Sequence, residues 1–363
     1  MAAKALVDTQ KPLKILMTAD AVGGVWQYSV DLIRGLGESA KVLLATLGPR
    51  PSTEQKQQLK SVPQLQLCES DYALEWMSDP WRDVDAAGEW LLSLQAEFGA
   101  DVIHLNGYAH AALPWGRPIV VVAHSCVYSW WQAVHHCPPG SEWAEYYRRV
   151  ANGLAACDIV VAPSRFMASE VEREYSVPSE KLQVVYNFSV ASPPVTEKEP
   201  FCLAAGRLWD KAKNLSTLAE IAPHLRWPVY LAGEEAFHAV SGSFRVLGRL
   251  PHAELLRYMS RAGIFLHPAL YEPFGLSVLE AARCGCCLVL ADIPSLRELW
   301  SHAAIFIDAR EPESWISQVN QLVGDPEKCL RLGEAAKKHS ARYSQRESIN
   351  AYGNLYRSLE VAA

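Results

Sequence analysis

The stretch Tyr271-Glu272-Pro273-Phe274-Gly275-Leu276-Ser277-Val278-Leu279-Glu280 joins a predicted strand to a predicted helix. The run before it, from Ala262 to His267, is short and apolar, which is typical of a buried strand. The residues from Ser277 to Cys284 include the helix formers Leu, Glu and Ala, so the turn runs from Pro268 to Gly275. The two glutamates of the stretch therefore lie eight positions apart, one in the turn and one just over one turn into the helix.

The turn has the features of an anion site. Gly275 has no side chain, so a ligand can approach the backbone closely. The first N–H groups of the following helix have no partner within the helix, and they lie at its positive dipole end. This turn is therefore predicted to bind a phosphate group.

Short β-rich runs alternate with helical patterns along the whole chain, which predicts parallel sheets built from right-handed crossovers. The strands predicted in the first half are Lys14 to Thr18, Lys41 to Thr46, Val102 to Leu105, Ile119 to Ala123, Ile159 to Ala162 and Gln183 to Tyr186. Those predicted in the second half are Phe201 to Ala205, Val229 to Ala232, Phe244 to Leu247, Ile264 to His267, Cys287 to Leu290 and Ala304 to Ile307.

The length of 363 residues exceeds what one hydrophobic core usually serves, so two domains are expected. The segment from Ser189 to Pro200 contains three prolines and several polar residues, and it is the best linker candidate. We therefore expect an α/β protein with two doubly wound domains facing each other. Ligands of such sheets bind at the carboxyl ends of the strands, which makes the cleft between the domains the expected site.

Composition excludes several classes of protein. A formal net charge of −6 argues against a partner that is a nucleic acid. No apolar run approaches the roughly 20 residues that cross a bilayer, so no integral membrane segment is predicted. The start of the chain lacks the apolar core of a secretory signal, and the nine cysteines show no small-domain spacing, so we expect a cytoplasmic protein with reduced thiols.

No metal and no cofactor is predicted, although three motifs contain metal-binding residue types. Cys284-Gly285-Cys286-Cys287 has no second pair to complete a zinc site. The histidines and cysteines between His124 and Cys137 fit no common ligand spacing. Asp83-Val84-Asp85 lies in a charged stretch without a flanking strand, and we interpret it as surface.

Several motifs, in order along the chain, carry a resemblance to a known family. They are Ala21-Val22-Gly23-Gly24-Val25-Trp26, Val120-Val121-Val122-Ala123-His124, Ile159-Val160-Val161-Ala162-Pro163-Ser164, Val184-Val185-Tyr186-Asn187, Gly206-Arg207-Leu208-Trp209-Asp210-Lys211-Ala212-Lys213-Asn214, and the stretch quoted above. Together they resemble the retaining family 4 glycosyltransferases, whose architecture is called GT-B. The resemblance implies Rossmann-like domains at 1–190 on the acceptor side and 191–343 on the nucleotide-sugar side. It also implies a helix at 344–363 that returns to the first domain.

The resemblance assigns donor-binding roles mostly in the second half. Arg207 and Lys213 would balance the charge that grows on the leaving diphosphate, with Lys211 as the alternative lysine because the loop has one extra residue. Glu280 would bind the ribose hydroxyls and Glu272 the donor sugar. The backbone groups of Phe274, Gly275 and Leu276 would bind phosphate, Gly248 would lie near the base, and the glycine turn of Gly23 and Gly24 would lie beside the phosphates.

His124 matches the family histidine that contacts the donor sugar, although the family often has Asp where this chain has Ser125. The resemblance thus assigns catalytic roles to His124, Arg207, Lys213 and Glu272. It implies same-face attack on the anomeric carbon, with the leaving phosphate taking the proton of the acceptor. Trp130 and Trp131 are the candidates for acceptor binding, because aromatic faces suit sugar rings, although core packing is the commoner use of tryptophan.

These features predict a transferase that moves a sugar, most readily from a uridine diphosphate sugar, to a hydroxyl acceptor. A sugar-nucleotide epimerase of the same architecture and an inactive nucleotide-sugar-binding relative are the alternatives. A glycosidase could use two carboxylates but would not need the two cations near residue 210. A dinucleotide oxidoreductase ranks lower, because no G-x-G-x-x-G follows the first strand.

Overall fold

The computed structural model describes residues 11–62, 64–191, 196–233 and 244–362. Within these ranges, strands alternate with helices and form two sheets, and the strand pairs of both sheets run parallel. The predicted α/β class is confirmed. Long apolar runs such as the fully buried Ile15 to Met17 are typical of parallel strands that are covered on both faces.

The first sheet has the strand order β3-β2-β1-β4-β5-β6-β7. Its strands are β1 Leu13–Asp20, β2 Ala40–Leu47, β3 Leu65–Glu69, β4 Val102–Leu105, β5 Ile119–Val122, β6 Ile159–Ala162 and β7 Leu182–Val184. The second sheet has the order β10-β9-β8-β11-β12-β13. Its strands are β8 Glu199–Ala205, β9 Val229–Ala232, β10 Phe244–Gly248, β11 Ala262–His267, β12 Cys287–Ala291 and β13 Ile305–Ile307.

The α-helices that connect and cover these strands fall into two groups along the described chain. The first group is α1 Gly24–Leu36, α2 Thr53–Leu59, α3 Trp81–Phe98, α4 Val127–His135, α5 Ala144–Ala156 and α6 Arg165–Tyr175. The second group is α7 Ser216–Ile221, α8 His252–Arg261, α9 Leu276–Arg283, α10 Pro294–Trp300, α11 Pro312–Val323, α12 Pro326–Ser340 and α13 Gln345–Ala362.

A strand is found at each of the twelve predicted places, with ends that differ by at most two residues. The prediction missed β3, which lies at the edge of the first sheet and has no fully buried residue. An edge strand of this kind lacks the apolar run that identifies a central strand. The central strands of both sheets were therefore predictable from their apolar character, whereas the edge strand β7, like β3, has no buried residue.

Each sheet reverses its winding direction at one place. In the first sheet this switch point lies between β1 and β4, and in the second it lies between β8 and β11. At such a point the loops that follow the two neighbouring strands leave toward opposite faces of the sheet, which opens a crevice at the carboxyl ends of the strands. These two crevices are the places where each sheet is expected to bind a ligand.

The chain forms two compact units. The second consists of residues 124–144 and 162–348, and the first contains the stretches up to Ala123, Glu145–Val161 and the residues from Ile349 onward. The predicted boundaries near residues 190 and 343, and the predicted cleft, stay predictions. Of the predicted linker, residues 192–195 lie outside the described residues.

The middle turns of α13 are part of the core of the first unit. Tyr28 Oη donates a hydrogen bond of 2.6 Å to Tyr352 Oη, and Tyr356 Oη lies 2.8 Å from Nδ1 of His104. Burial lowers the pKa of His104 to about 4, which keeps this imidazole neutral at pH 7. In the described part of the chain, none of the helices combines the length and the apolar character that crossing a membrane requires.

Candidate functional site

The switch point of the second sheet is formed by the loops after β8 and β11. Gly206 and Arg207 directly follow β8, and the residues from Pro268 to Gly275 form the turn between β11 and α9. The strand, turn and helix predicted around Glu272 and Glu280 are confirmed. Both loops begin at the carboxyl ends of neighbouring strands, so they lie beside each other.

Gly275 is required by the geometry of this turn. Its φ is +84°, a backbone conformation that residues with a side chain rarely adopt. A Cβ atom here would lie 3.2 Å from Cγ2 of Val278 and 3.3 Å from Cγ of Glu272. Gly275 also immediately precedes α9, and no side chain caps the first N–H groups of that helix. These groups can therefore donate to an anion.

A lysine, a carboxylate and a histidine form a buried group next to this turn. Lys213 Nζ donates a hydrogen bond of 2.6 Å to Oε2 of Glu272, and Nε2 of His267 lies 3.1 Å from the same oxygen. The side chain of Glu272 is only 11 % exposed. Burial by itself raises the pKa of Glu272, but the charge of Lys213 and the contact with His267 outweigh burial and lower the pKa well below its ordinary value. Glu272 is therefore ionised at neutral pH.

The sequence left two candidates for the phosphate lysine, and the structure separates them. Both lie in a 3₁₀ turn, Lys211–Lys213, after β8. The side chain of Lys211 is exposed, whereas Lys213 is partly buried and bonded to Glu272. Lys213 is therefore the one that lies against the turn after β11.

Arg207 is held by an aspartate and a tryptophan. Its Nη2 donates a hydrogen bond of 2.9 Å to Oδ2 of Asp210, and its guanidinium lies 5.1 Å from the ring centroid of Trp209. The Nε atom of Arg207 is buried and has no hydrogen-bond partner among the described residues. Because a buried donor without a partner is costly, this N–H is a candidate for binding an anionic ligand.

Trp130 contacts the same aspartate. Its Nε1 donates a hydrogen bond of 3.1 Å to Oδ1 of Asp210. The Trp130 ring also packs against Trp131, with 5.9 Å between centroids, and Trp131 packs against Trp143 at 6.1 Å. Both predicted acceptor tryptophans therefore belong to one aromatic cluster, and Trp130 connects this cluster to the residue that holds Arg207.

Glu280 lies on the first turns of α9 with its side chain buried. Its Oε1 is 2.8 Å from Nε2 of His252, the first residue of α8, and Glu280 is 5 % exposed. A hydrogen bond of this length to a histidine ring fixes the orientation of the carboxylate. The second oxygen of Glu280 keeps its capacity to accept hydrogen bonds from a ligand.

The loop that contains His124 is fastened to the same turn. His124 lies two residues after β5 and is half-buried. Two residues further, the N–H of Cys126 donates a hydrogen bond of 3.2 Å to Tyr271 Oη, which lies 2.9 Å from Oγ of Ser129. Ser164 Oγ donates to the carbonyl of Pro273 at 2.7 Å. The segments after β5 and β6 thus hold Tyr271 and Pro273, the residues on either side of Glu272.

The remaining predicted residues lie at ends of other strands and helices. Gly23 precedes α1 in the first unit and has a φ of +87°, which favours glycine, and Gly24 is the first residue of that helix. Gly248 is the last residue of β10. Phe274 is buried, and Leu276 begins α9. Thus all predicted donor residues except Gly23 and Gly24 fall within the second unit.

Sequence reasoning missed four residues that hold this site, namely Asp210, His252, His267 and Tyr271. Asp210 and Tyr271 stand inside motifs that were quoted for the resemblance, so their positions were a usable signal. His252 and His267 gave none, because a single histidine near a strand or helix end has no spacing to a partner. Their partners, Glu280 and Glu272, are identified only by the fold.

The motifs with metal-binding residue types have other contacts. Asp83 accepts a hydrogen bond of 3.0 Å from the N–H of Ala73, and Asp85 pairs with Arg149. Both aspartates are exposed on α3, as interpreted from the sequence. Within the ranges that the structure describes, no group of three or more His, Cys, Asp or Glu side chains has the arrangement of a metal site.

Two family models match consecutive parts of the chain. The model of Glycosyltransferase Family 4 matches residues 22–188, and the model of Glycosyl transferases group 1 matches residues 187–339. The chain belongs to the family 4 glycosyltransferases. The family resemblance inferred from the motifs is therefore confirmed, and so is the GT-B fold, an α/β fold with two Rossmann-like sheets.

Curated relatives match this family 4 chain over parts of their length. The D-inositol 3-phosphate glycosyltransferase of Corynebacterium urealyticum is 30 % identical over 122 residues, which cover 33 % of this chain and 29 % of the relative. The alpha-maltose-1-phosphate synthase of Mycolicibacterium smegmatis is 25 % identical over 272 residues, which cover 63 % of this chain and 69 % of the relative. The matched region thus spans less than a third of the first relative.

Solved structures share the fold over nearly the whole chain. The sucrose-phosphate synthase of Thermosynechococcus elongatus has a TM-score of 0.79 at 17 % identity, covering 97 % of this chain and 100 % of that one. Anabaena HepE, solved in complex with UDP and glucose, has a TM-score of 0.73 at 17 % identity, covering 96 % and 100 %. At these identities the likeness concerns the fold alone.

Proposed function

We propose that this family 4 glycosyltransferase moves a sugar from a uridine diphosphate sugar to a hydroxyl acceptor, with retention at the anomeric carbon and without a metal. The observation that carries the proposal is the arrangement at the switch point of the second sheet. There, two buried carboxylates and two cations surround the uncapped N-terminus of α9. A diphosphate flanked by two sugars needs this combination of charges and hydroxyl-binding groups.

Each residue has a distinct role in the proposed donor complex. Glu280, oriented by His252, accepts hydrogen bonds from the ribose hydroxyls. The N–H groups at Gly275 and Leu276 bind a phosphate at the positive end of α9. Arg207 and Lys213 bind the diphosphate from the loop after β8, and the buried Nε of Arg207 gains a partner when an anion is present.

The proposed reaction breaks the bond between the anomeric carbon and the phosphate oxygen. The acceptor oxygen forms its bond to the same face of that carbon, and its proton passes to the leaving phosphate oxygen. Arg207 and Lys213 stabilise the negative charge that develops on the diphosphate, which is the usual function of a metal ion in metal-dependent transferases. Glu272 and His124 position the donor sugar, and Glu272 is not required to act as a nucleophile.

The proposed base of the donor is uracil. This choice is supported by Anabaena HepE, which shares the fold and was solved with UDP and glucose and with UDP-glucose. Trp130 and Trp131 remain candidates for acceptor contacts, with Trp130 also acting on Arg207 through Asp210.

The test is a mass-spectrometric screen of the purified protein against several nucleotide sugars, without acceptor and without added metal. We expect slow release of the nucleotide diphosphate from one uridine donor. Glu280→Ala should abolish donor binding because the ribose loses its carboxylate. Glu254→Ala, which removes an exposed glutamate of α8 in the same unit, is the matched control and should retain wild-type release.

The products separate the alternatives. A new nucleotide sugar of equal mass but different retention time would indicate an epimerase. Binding of a donor with no release, even when a library of hydroxyl acceptors is added, would indicate an inactive nucleotide-sugar-binding relative. If no nucleotide sugar binds at all, the proposed function is wrong.

A further inference from the structure

Trp209 lies in the loop after β8, and 50 % of its surface is exposed. The residue before it, Leu208, is buried, and a Cβ atom at Gly233, directly after β9, would lie 3.2 Å from Cγ of that leucine. Leu208 thus fixes the loop to the core, whereas Trp209 stays at the surface. Burying an indole is strongly stabilising, so core packing does not account for a tryptophan at this position.

The Trp209 ring has a charged neighbour from its own loop. The guanidinium of Arg207 lies over this ring, 5.1 Å from the centroid. A cation is attracted to an aromatic face within roughly 6 Å, and tryptophan is the best of the aromatic partners. A guanidinium is suited to this contact because it is planar and stacks on aromatic rings. The ring therefore restricts the positions that the Arg207 guanidinium can take.

Asp210 supplies a second contact to the same guanidinium. Its Oδ2 accepts the hydrogen bond of 2.9 Å from Nη2 of Arg207, and its Oδ1 accepts from the N–H of Ala212 at 3.0 Å and from Nε1 of Trp130 at 3.1 Å. Asp210 is therefore itself fixed. One hydrogen bond leaves an arginine free to rotate about it, and the Arg207 side chain is 39 % exposed. The ring contact and the hydrogen bond together hold this side chain in one orientation.

We infer that Trp209 is a positioning residue, which holds the Arg207 guanidinium and its buried Nε–H in place before an anion binds. A mobile arginine loses conformational entropy when it binds a ligand, and a side chain that is already fixed loses less. Resting on the proposed function, the anion is the diphosphate that leaves the sugar. Trp209 then raises kcat through Arg207, because donors that are held in place stabilise a developing charge best.

The experiment is a double-mutant cycle between these two positions in the full chain. Its variants are Trp209→Leu, Arg207→Ala and the double variant. Calorimetry measures the binding of inorganic pyrophosphate, and steady-state kinetics measure the release of nucleotide diphosphate from the donor. Pyrophosphate is the probe because it presents the diphosphate charge without a base or a sugar.

We expect Trp209→Leu to weaken pyrophosphate binding by about fivefold and to lower kcat by about tenfold. The KM for the donor should change by less than about threefold, because the ring does not touch the substrate. In the Arg207→Ala background the same substitution should change both quantities by less than about twofold, since no guanidinium is left to position.

Two further variants serve as controls. Trp209→Phe keeps an aromatic face and should bring kcat to within about threefold of the wild-type value. Leu330→Ala removes another exposed apolar side chain of the same unit, 53 % exposed on α12, and should leave kcat and pyrophosphate binding unchanged. Thermal unfolding checks that each variant is folded. If Trp209→Leu does not fold, Trp209→Gln takes its place, because it also removes the aromatic face.

Three results would overturn the inference. They are the absence of pyrophosphate binding by the wild-type protein, an equal loss on Trp209→Leu with and without Arg207, and a raised KM for the donor with unchanged kcat. Failure of the proposed function is a separate outcome, since the donor screen then shows no nucleotide-sugar binding while the cycle on pyrophosphate still shows coupling. In that case Trp209 positions Arg207 for a different anion, and only the role of that anion as leaving group is wrong.

Discussion

The two switch points have the same topology but carry different side chains. In the first sheet the crevice between β1 and β4 is lined by Asp20 and Glu75. In the second sheet the loop after β8 presents Arg207 and Lys213, and the turn after β11 presents Glu272. The order of the strands decides where a ligand can bind, and it is closely similar in both sheets. The residues that follow the strands decide which ligand binds. The comparison teaches that this fold supplies two positions and that the loops give each position its own chemistry.

The charged groups are also held in different ways. At the switch point of the second unit, Arg207 is bonded to Asp210 and Lys213 to Glu272. In the first unit the described hydrogen bonds to the two lining carboxylates come from backbone N–H groups. A cation paired with a carboxylate can be positioned precisely enough to meet a developing charge. Burial raises the pKa of Glu75, and the N–H groups of Ala109 and Tyr108 partly offset this.

The largest expected effect comes from removing a cation of the second switch point. Arg207→Ala should lower kcat by about 100-fold to 1,000-fold, or about 3 to 4 kcal/mol, because stabilisation of the leaving diphosphate is lost. Folding should change little, because Arg207 is partly exposed. Steady-state kinetics and thermal unfolding of the same preparation measure both quantities. A loss of folding that accounts for the loss of activity would contradict this role.

A pair of lysine variants sharpens the comparison within one loop. Lys213→Gln should lower kcat by about 30-fold, because its amide can still bond to Glu272 but carries no charge for the diphosphate. Lys211→Gln should lower kcat less than about threefold, since the Lys211 side chain is exposed and screened by solvent. Equal effects in the two variants would show that the loop acts only by its overall charge.

The ionised carboxylate of Glu272 should make the stability of the protein depend on pH. Glu272→Gln should lower the free energy of unfolding by about 2 kcal/mol at pH 7, because Lys213 and His267 lose a charged partner. The pKa of Glu272 is lowered in the folded protein, so its contribution is complete above the unfolded pKa of about 4.3 and is lost as pH falls toward the folded value. Denaturant unfolding at several pH values should therefore show the difference between wild type and variant shrinking below about pH 4. A difference that grows on acidification would show that Glu272 is not ionised.

The smallest expected effect on kcat comes from Trp130, whose indole N–H is bonded to the aspartate that holds Arg207. Trp130→Phe removes the hydrogen bond to Asp210 but keeps the aromatic ring, and kcat should fall by about twofold to tenfold. Trp143→Phe changes another ring of the same cluster, and the kcat of this variant should stay within twofold of the wild-type value. If KM for an acceptor rises in Trp130→Phe while kcat is unchanged, Trp130 acts on the acceptor rather than through Asp210.

The sequence was sufficient for those parts of the fold and site that depend on local pattern. The central strands are buried apolar runs, and the turn before α9 has its glycine, its proline and its two glutamates within ten residues. The side-chain hydrogen bonds of the site were not predictable, because their partners are distant in sequence. Lys213 and Glu272 stand 59 positions apart, and His252 and Glu280 stand 28 apart. The lining of the crevice between β1 and β4 was also not predictable, since Asp20 ends β1 while Glu75 and Asn106 come from two separate loops, and the three share no motif.

The first unit combines early and late segments of the chain, which affects the order in which it can fold during synthesis. Tyr352 and Tyr356 fill its core beside Tyr28 and His104, although more than three hundred residues separate Tyr28 from its bonded partner Tyr352. The ribosome makes the sheet of this unit first, yet the aromatic side chains that complete its core arrive last. Since domains generally fold as units during synthesis, this unit should wait with an apolar surface uncovered while the second unit forms. We therefore expect a chaperone that binds nascent chains to stay bound longest to this uncovered surface of the first unit.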